Sequence, residues 1–339
     1  MRYLESLNKA LHQLITNDDK VIVLGEDIAD PYGGAFKVTK GLSSSFPKQV
    51  FSTPISEAAI IGLSTGLAMN GYKPIVEIMF GDFITLASDQ IINGLSKFKW
   101  MYGGNISLPL IIRTPMGARR GYGPTHSQTL ESLFFGVPGI NIVAPSHCHM
   151  PGKLMANSMS NEFGPTIFIE NKSLYPMKLM IPDNLSQVED FFCEEINTYD
   201  NNFPTISLKL DKEENPDITI IAYGGMAPYA MEAAKNVFLE NEIVVELLLP
   251  SIIKPLPLVD ILPSCENSGS IIICEEGVKS SGWGSELASL ITENIFGKLK
   301  HPIERIGAKQ IPIPSSRLLE QFVLPQAKDI KKSINKLMK

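Results

Sequence analysis

The segment Val21-Ile22-Val23-Leu24-Gly25 indicates the fold class of this chain of 339 residues. A short apolar run rich in β-branched residues and ending at a glycine is typical of a parallel strand buried on both faces. Upstream of this segment, helical spacing separates Leu4, Leu7, Leu11 and Leu14. A helix followed by a buried strand predicts a layered α/β domain.

Working outward from this segment, the same alternation continues along the chain. Before an irregular middle region, the apolar patterns predict strands at 75–80 and 108–112 and a helix at 83–95. After it they predict strands at 218–222, 243–248 and 270–274, with helices at 227–239, after Gly284, and at 327–337. The loops that follow the strands are the expected functional edge.

The irregular region, from about Tyr175 to Pro216, mixes prolines with asparagines and acidic residues. Such a composition is typical of a connection between domains. We therefore predict two layered α/β domains, at 1–180 and 217–339, with a linker at 181–216.

Charge and hydropathy narrow the classes of partner. The formal net charge is -6, whereas a protein that binds nucleic acid or an anionic membrane normally needs a basic face. The N-terminus lacks the apolar segment of a signal peptide, and the apolar stretch 244–258 is interrupted by Glu246, Lys254 and three prolines. We expect a cytoplasmic chain with no membrane span and no nucleic-acid partner.

The cysteines indicate neither a zinc site nor a dithiol redox centre. Cys148, Cys193, Cys265 and Cys274 are dispersed without CxxC spacing. His147-Cys148-His149 looks like a metal cluster, but adjacent side chains diverge and no second ligand motif is visible. We predict an ordinary loop there.

The segment Thr53-Pro54-Ile55-Ser56-Glu57-Ala58-Ala59-Ile60 carries the main candidate residue. Pro54 favours an extended entry, Ser56 can cap the following helix, and Glu57 would lie in the first turn. The helix dipole favours an acidic side chain there by roughly 0.3 to 1 kcal/mol, so Glu57 alone is also an ordinary helix start.

The longer pattern gives Glu57 its significance. Glu57 lies in an ordered series of segments: Gly33-Gly34-Ala35-Phe36-Lys37-Val38-Thr39-Lys40-Gly41-Leu42, Glu77-Ile78-Met79-Phe80-Gly81-Asp82-Phe83, Arg113-Thr114-Pro115-Met116-Gly117, and Thr125-His126-Ser127-Gln128. Later segments are Ala222-Tyr223-Gly224, Glu275-Glu276-Gly277, Gly282-Trp283-Gly284-Ser285-Glu286, and Pro312-Ile313-Pro314 with Glu320. In this order and spacing, the chain resembles the beta subunits of thiamine diphosphate-dependent pyruvate, branched-chain 2-oxoacid and acetoin dehydrogenases. The resemblance spans nearly the whole chain.

This resemblance implies a transketolase-like pyrimidine-binding domain followed by a transketolase C-terminal-like domain. It also implies that Glu57 hydrogen-bonds a ring nitrogen of the cofactor's aminopyrimidine and exchanges a proton there. Phe83 would pack against that ring, with Ile55 and Met79 lining the pocket. His126 would be the active-site histidine, which donates a proton or stabilises the substrate carboxylate.

The resemblance further implies a partner chain. The thiamine diphosphate motif that holds Mg2+ is lacking here, since Gly81-Asp82-Phe83 has neither the second glycine nor a suitable downstream partner. An alpha subunit would therefore hold Mg2+ and the diphosphate, in an alpha2beta2 heterotetramer that serves a lipoyl-bearing dihydrolipoyl acyltransferase. A potassium site in backbone carbonyls is known in the family, and we do not assign one here.

The leading function is oxidative decarboxylation of a 2-oxoacid, such as pyruvate or a branched-chain oxoacid, with acyl transfer to a lipoyl group. Leu249-Pro250-Ser251 replaces the family's common Asp-Leu-Arg, so the core-docking surface is open to question. A two-subunit acyloin-forming carboligase is the nearest alternative, and a noncatalytic assembly subunit is a third. The spacing of Gly62 and Gly66 would allow a close helix contact, either internal or with a partner.

Arg119 and Arg120 lie in the same loop as His126. They could attract an anionic substrate, but exposed arginines are commonly just solvated. We therefore leave both outside the catalytic set.

Overall fold

The computed structural model describes residues 1–180, 190–212 and 214–339. The strands of these residues are β1 Val21–Gly25, β2 Val50–Ser52, β3 Lys73–Glu77, β4 Ile111–Met116, β5 Asn141–Val143, β6 Thr166–Asn171, β7 Phe192–Ile196, β8 Thr205–Lys209, β9 Ile218–Ala222, β10 Val245–Pro250, β11 Ile252–Lys254, β12 Ile271–Val278 and β13 Glu304–Ala308. The α-helices are α1 Tyr3–Asn17, α2 Leu42–Ser45, α3 Glu57–Met69, α4 Ser96–Met101, α5 Pro151–Ser158, α6 Ala227–Asn241, α7 Leu258–Ser268, α8 Trp283–Ile295, α9 Arg317–Val323 and α10 Ala327–Leu337. Short 3-10 helices cover Gly81–Ala87, Glu131–Phe134, Gly224–Met226 and Phe296–Lys298, and a short π-helix covers Gln90–Leu95.

The first sheet confirms the α/β prediction. Its strand order in the described residues is β11-β5-β6-β4-β3-β1-β2, and every pairing is parallel except that of β11 with β5. Every residue of β1 is buried, as the apolar run predicts for a strand covered on both faces. Strands β6, β4, β3, β1 and β2 run parallel to one another, so their carboxyl ends lie at the same edge of the sheet.

The second sheet has the order β13-β12-β9-β10-β8-β7 in the described residues. Strands β13, β12, β9 and β10 are parallel, while β8 and β7 add an antiparallel edge. The predicted strand at 218–222 and the predicted final helix at 327–337 coincide with β9 and α10.

Two predicted regions differ from the structure. The range predicted as a linker, 181–216, contains β7 and β8, although 181–189 and 213 lie outside the described residues. The sequence pattern of this range did not predict β7, because β7 is a sheet-edge strand with a single buried residue, Cys193, and so carries little apolar signal. The domain boundaries themselves stay a prediction.

The predicted α-helix at 83–95 is instead split between Gly81–Ala87 and Gln90–Leu95. Hydroxyl groups bond backbone carbonyls in and next to these irregular turns. Ser88 Oγ donates to the Thr85 carbonyl at 2.8 Å, and Ser96 Oγ donates to that of Ile92 at 2.8 Å. Such bonds compete with the regular backbone ladder.

The two halves of the chain share one apolar core. A single buried cluster includes Ile112 and Ile142 of the first sheet together with Leu248 and Trp283 of the second half. Strand β11 also returns from the second half to pair with β5. Among the helices of the described residues, none is long and apolar enough to span a bilayer.

The loop predicted at His147-Cys148-His149 lies buried between the two halves. His149 Nε2 lies 3.1 Å from the Leu249 carbonyl oxygen, and its Nδ1 lies 3.0 Å from the Ser146 amide nitrogen. Burial lowers the pKa of His147 and of His149 to about 4 in each case. Both imidazoles are therefore neutral in the folded chain near neutral pH.

These histidines predict a loss of stability in mild acid. The unfolded chain binds protons on both residues near pH 6.5, whereas the folded chain resists protonation until about pH 4. The free energy of unfolding should therefore fall as the pH drops through this window, by up to about 1.4 kcal/mol per pH unit for each histidine. Urea unfolding at pH 7, 6 and 5 should show a shallower decline for His147→Asn; a slope equal to that of the unmodified chain would contradict the assignment.

Candidate active site

Glu57 begins helix α3, as predicted, at the end of the segment that follows β2. Its side chain lies in the first turn, and only 6% of the residue is exposed. Ser56 is the N-cap residue, but its side chain makes no capping hydrogen bond. Its ψ of 89° lies below the extended values typical of capping residues, which corrects the expected role of the hydroxyl.

A second carboxyl group, that of Glu26, lies next to Glu57. Glu26 immediately follows β1 and is 5% exposed. Burial raises the pKa of Glu26, and the charge of Glu57 raises it further, whereas a hydrogen bond from the Ser56 amide opposes both effects. Glu26 is not among the residues predicted from the sequence, although its position directly after a buried parallel strand is the signal that would have identified it.

Aromatic rings pack together at the same edge of the sheet. The ring centroid of His126 lies 4.8 Å from that of Phe80 and 5.2 Å from that of Phe83, with edge-to-face angles of 80° and 77°. The segment that carries Phe83 also contacts α3. Two of the predicted site residues, Phe83 and His126, are thus in contact, and both lie at the edge of the sheet where Glu57 begins its helix.

Lys172 holds the backbone of His126. Its Nζ donates to the His126 carbonyl oxygen at 2.6 Å and lies 5.1 Å from the centroid of the Phe80 ring. Burial lowers the pKa of Lys172 to about 8, against the opposing effect of Asp82. Lys172 is also absent from the site residues predicted from the sequence, although it follows the last residue of β6.

Asp82 binds the loop that carries His126 through Gln128. Its Oδ1 accepts hydrogen bonds from Gln128 Nε2 at 2.8 Å and from the Gln128 amide at 3.3 Å. Its Oδ2 is buried without a hydrogen-bond partner among the described residues. Asp82 therefore ties the segment after β3 to the loop that carries His126.

The remaining predicted pocket residues lie toward the surface. Met79 is half-buried, and Ile55 is 85% exposed, so Ile55 does not help to bury Glu57 within this chain. On α3, Leu63 is 58% exposed, and a Cβ built on Gly66 would meet nothing within 4 Å. The predicted close contact at Gly66 is therefore not made among the described residues.

Arg119 and Arg120 do not project as free cations. Arg119 Nη2 donates to the Pro325 carbonyl at 2.7 Å, and its guanidinium carbon lies 3.9 Å from the Tyr229 ring centroid. Arg120 Nη2 donates to the Lys172 carbonyl at 2.8 Å. Both arginines fix the loop, which supports leaving them outside the catalytic set.

A buried ion network lies beneath the site. Arg113 of β4 donates to both oxygens of Glu170 on β6, at 2.8 and 2.7 Å, and to Glu77 on β3. Tyr175 Oη adds a 2.7 Å bond to Glu170. The two carboxylates raise the pKa of Arg113, which stays protonated. This network joins three adjacent strands.

Comparison with known families agrees with this geometry. Residues 1–178 match the family model described as the pyrimidine-binding domain of transketolase. Residues 208–330 match the model described as the transketolase C-terminal domain.

Several named proteins of similar length are also similar in sequence. The pyruvate dehydrogenase E1 component subunit beta of Rickettsia bellii is 32% identical over 98% of this chain and 97% of its own length. The corresponding mitochondrial subunit beta-1 of Arabidopsis thaliana is 33% identical over 96% and 86%. The subunit beta of the acetoin:2,6-dichlorophenolindophenol oxidoreductase of Bacillus subtilis is 34% identical over 95% and 92%.

A solved structure supports the fold alone. The chain described as a split gene transketolase, inactive beta4 tetramer, superposes with a TM-score of 0.72 at 21% identity, over 99% of this chain and 98% of that one. The transketolase-like fold predicted from the sequence is confirmed.

The ion network predicts a large cost for removing Arg113. The substitution Arg113→Met would leave Glu77 and Glu170 buried without their cation, and it should lower the free energy of unfolding by about 3 to 5 kcal/mol. Urea unfolding would measure this loss. The exposed Arg317→Met is the control, and a loss below about 1 kcal/mol for Arg113→Met would contradict the role of the network.

Proposed function

The chain belongs to the transketolase-like family of dehydrogenase E1 beta subunits, and we propose that it forms, with an alpha subunit, the active site of a thiamine diphosphate-dependent 2-oxoacid dehydrogenase of class EC 1.2.4.-. The observation that carries this proposal is the buried carboxyl of Glu57 at a helix start, at the same edge of the sheet as the contacting rings of Phe80, Phe83 and His126.

The residues fit the aminopyrimidine half of the cofactor. That ring needs a carboxyl group at one nitrogen and an apolar face, which Glu57 and Phe83 can supply, with Ile55 and Met79 at the margin. At the same edge of the sheet, Glu26 Oε1 and Asp82 Oδ2 are buried and have no hydrogen-bond partner among the described residues. Both oxygens can therefore accept a hydrogen bond from a bound group. When bound, thiamine diphosphate supplies a nucleophilic carbon that attacks the 2-oxo group.

Glu57 is the acid-base group in this proposal. Its carboxyl would donate a proton to the pyrimidine nitrogen and recover that proton later in the cycle, which would make the bound cofactor's exocyclic nitrogen available as a base. Burial raises the pKa of the neighbouring Glu26, and the charge of Glu57 raises it further.

His126 faces the substrate in this proposal. Its imidazole is half-buried, and Thr125 Oγ1 lies 2.9 Å from its Nδ1. A histidine held at this position can donate a proton to the reacting oxygen or hold the substrate carboxylate. The ammonium of Lys172, close to Phe80, adds positive charge that favours an anionic 2-oxoacid.

An alpha subunit would complete the site. Asp82, the nearest sequence candidate for the diphosphate motif, is bonded to Gln128, so we propose that Mg2+ and the diphosphate are held mainly by the partner. Exposed apolar side chains near the site, including Ile55, Leu63 and Leu86, support a covering chain. We propose an alpha2beta2 assembly that transfers its acyl group to a lipoyl-bearing dihydrolipoyl acyltransferase.

The relatives narrow the alternatives. Their names describe pyruvate dehydrogenase components and acetoin oxidoreductases, which do not favour the acyloin-forming carboligase. Pyruvate and branched-chain oxoacids differ by apolar volume, and one methylene changes discrimination by only about 1 to 3 kcal/mol. The cytoplasmic location stays a prediction, since the Arabidopsis thaliana relative is named mitochondrial.

The substitution Glu57→Gln tests the acid-base role. In enzyme reconstituted with the alpha subunit, it should lower kcat by roughly 100-fold or more, because an amide cannot exchange the required proton. Glu286→Gln is the matched control, since Glu286 is also an acidic residue in the first turn of a helix but is exposed. Turnover of the Glu57 variant within about twofold of the unmodified enzyme would rule out the role.

The need for a partner is tested with the purified chain alone. With thiamine diphosphate, Mg2+ and a 2-oxoacid it should show no turnover, and addition of the alpha subunit should restore acylation of a lipoyl domain. Full activity of the single chain would contradict the shared site. Acyloin formation from an aldehyde without lipoyl acylation would favour the carboligase instead.

A further inference from the structure

The loop that carries His126, residues 117–128, is held from both halves of the chain. On the first half, Lys172 and Asp82 bind its C-terminal end through the His126 carbonyl and Gln128. On the second half, Glu276 of β12 and Glu320 of α9 bind its N-terminal end. We call residues 117–128 the His126 loop.

Glu276 makes the central contact. Its Oε1 accepts a 2.6 Å hydrogen bond from the Ala118 amide, and its Oε2 lies 3.3 Å from Arg119 Nε. Asn171 Nδ2 adds a 3.4 Å bond to Oε2. The carboxylate is 4% exposed, so these contacts replace the water that a charged group would otherwise bind.

The backbone beside the Glu276 contact is closely packed and leaves no space for a side chain at position 117. Gly117 has a φ of +88°, and a Cβ there would lie 2.8 Å from Glu276 Oε1 and 2.5 Å from Asn171 Nδ2. Arg119 also has a positive φ, of +70°, which is unfavourable for a residue with a side chain. Such a conformation persists where surrounding contacts determine it, and Glu276 and Glu320 supply two of them.

A backbone hydrogen bond at the base of the His126 loop links the Glu276 contact to the position of His126. The Gly117 amide donates to the Gln128 carbonyl at 3.2 Å, which closes the loop one residue before Ala118 and two residues after His126. A shift of the Ala118 amide away from Glu276 therefore moves the closing bond. The imidazole would then shift against the Phe80 and Phe83 rings.

We propose that Glu276 is a positioning residue for His126, so that the second half of the chain sets the geometry of a histidine that belongs to the first. This inference rests on the proposed function for its catalytic consequence, but the placement of the imidazole can be measured without catalysis. Misplacement of a reacting group by about 1 Å can lower a rate by about 100-fold.

The first test is structural and uses the single chain. Histidine labelled with 13C at Cε1 gives one resonance for each of the five histidines, and His126→Asn identifies the signal of His126. Because two aromatic rings flank this imidazole, Glu276→Gln should move its resonance by more than a linewidth. Glu266→Gln, at an exposed ion pair with Lys298 in the same half, should leave it unchanged.

The second test uses the enzyme reconstituted with the alpha subunit. Glu276→Gln should lower kcat by about 10- to 100-fold while the KM for thiamine diphosphate stays within about twofold, because Glu57 and Phe83 are not displaced. In a His126→Asn background the same substitution should have no further effect on kcat. Thermal unfolding and binding to the alpha subunit show whether each variant is folded.

The outcomes separate this inference from the proposed function. An unmoved His126 resonance, or an equal loss of kcat in the His126→Asn background, would overturn the positioning role. If the unmodified complex has no 2-oxoacid turnover, the proposed function fails and the resonance alone decides the placement. If Glu276→Gln does not fold, Glu320→Ala, which removes the acceptor of the Arg119 amide, replaces it with the same expected results.

Discussion

The candidate site depends on the ion pairs that the buried guanidinium of Arg113 makes with two carboxylates. The guanidinium binds Glu77 and Glu170, and so it joins β3, β4 and β6 near their carboxyl ends. A charge in this position is stable only while both carboxylates are present, because each group alone would be costly to bury. The network therefore fixes the relative positions of the segments that leave these strands.

Every component of the candidate site leaves that same edge. Glu26 follows β1, the aromatic segment 80–83 follows β3, the His126 loop follows β4, and Lys172 follows β6. Glu57 lies a few residues beyond β2. Parallel pairing brings together at one edge residues that are far apart in sequence, which is why ligands bind at the carboxyl ends of such sheets.

The second half of the chain is more than a separate module. It shares a continuous apolar core with the first half, and its carboxylates Glu276 and Glu320 bind the backbone of the His126 loop. A rigid core transmits small displacements rather than absorbing them. The position of the imidazole thus depends on how the two halves pack, while Ile55 and Leu63 leave an apolar rim for another chain.

The sequence by itself determined the α/β class, the buried strand at Val21–Gly25, the helix start at Glu57 and the family, because each depends on local periodicity or on the order of motifs. It did not identify the edge strand β7, which carries a weak apolar pattern, nor β8, an interior strand whose five residues alternate hydroxyl and apolar side chains and end in a lysine. Only the tertiary structure decided that Glu26 lies beside Glu57, that Lys172 holds His126, and that Glu276 reaches the same loop from 158 residues away. Those contacts are made across the sheet and between the halves, and no spacing along the chain encodes them.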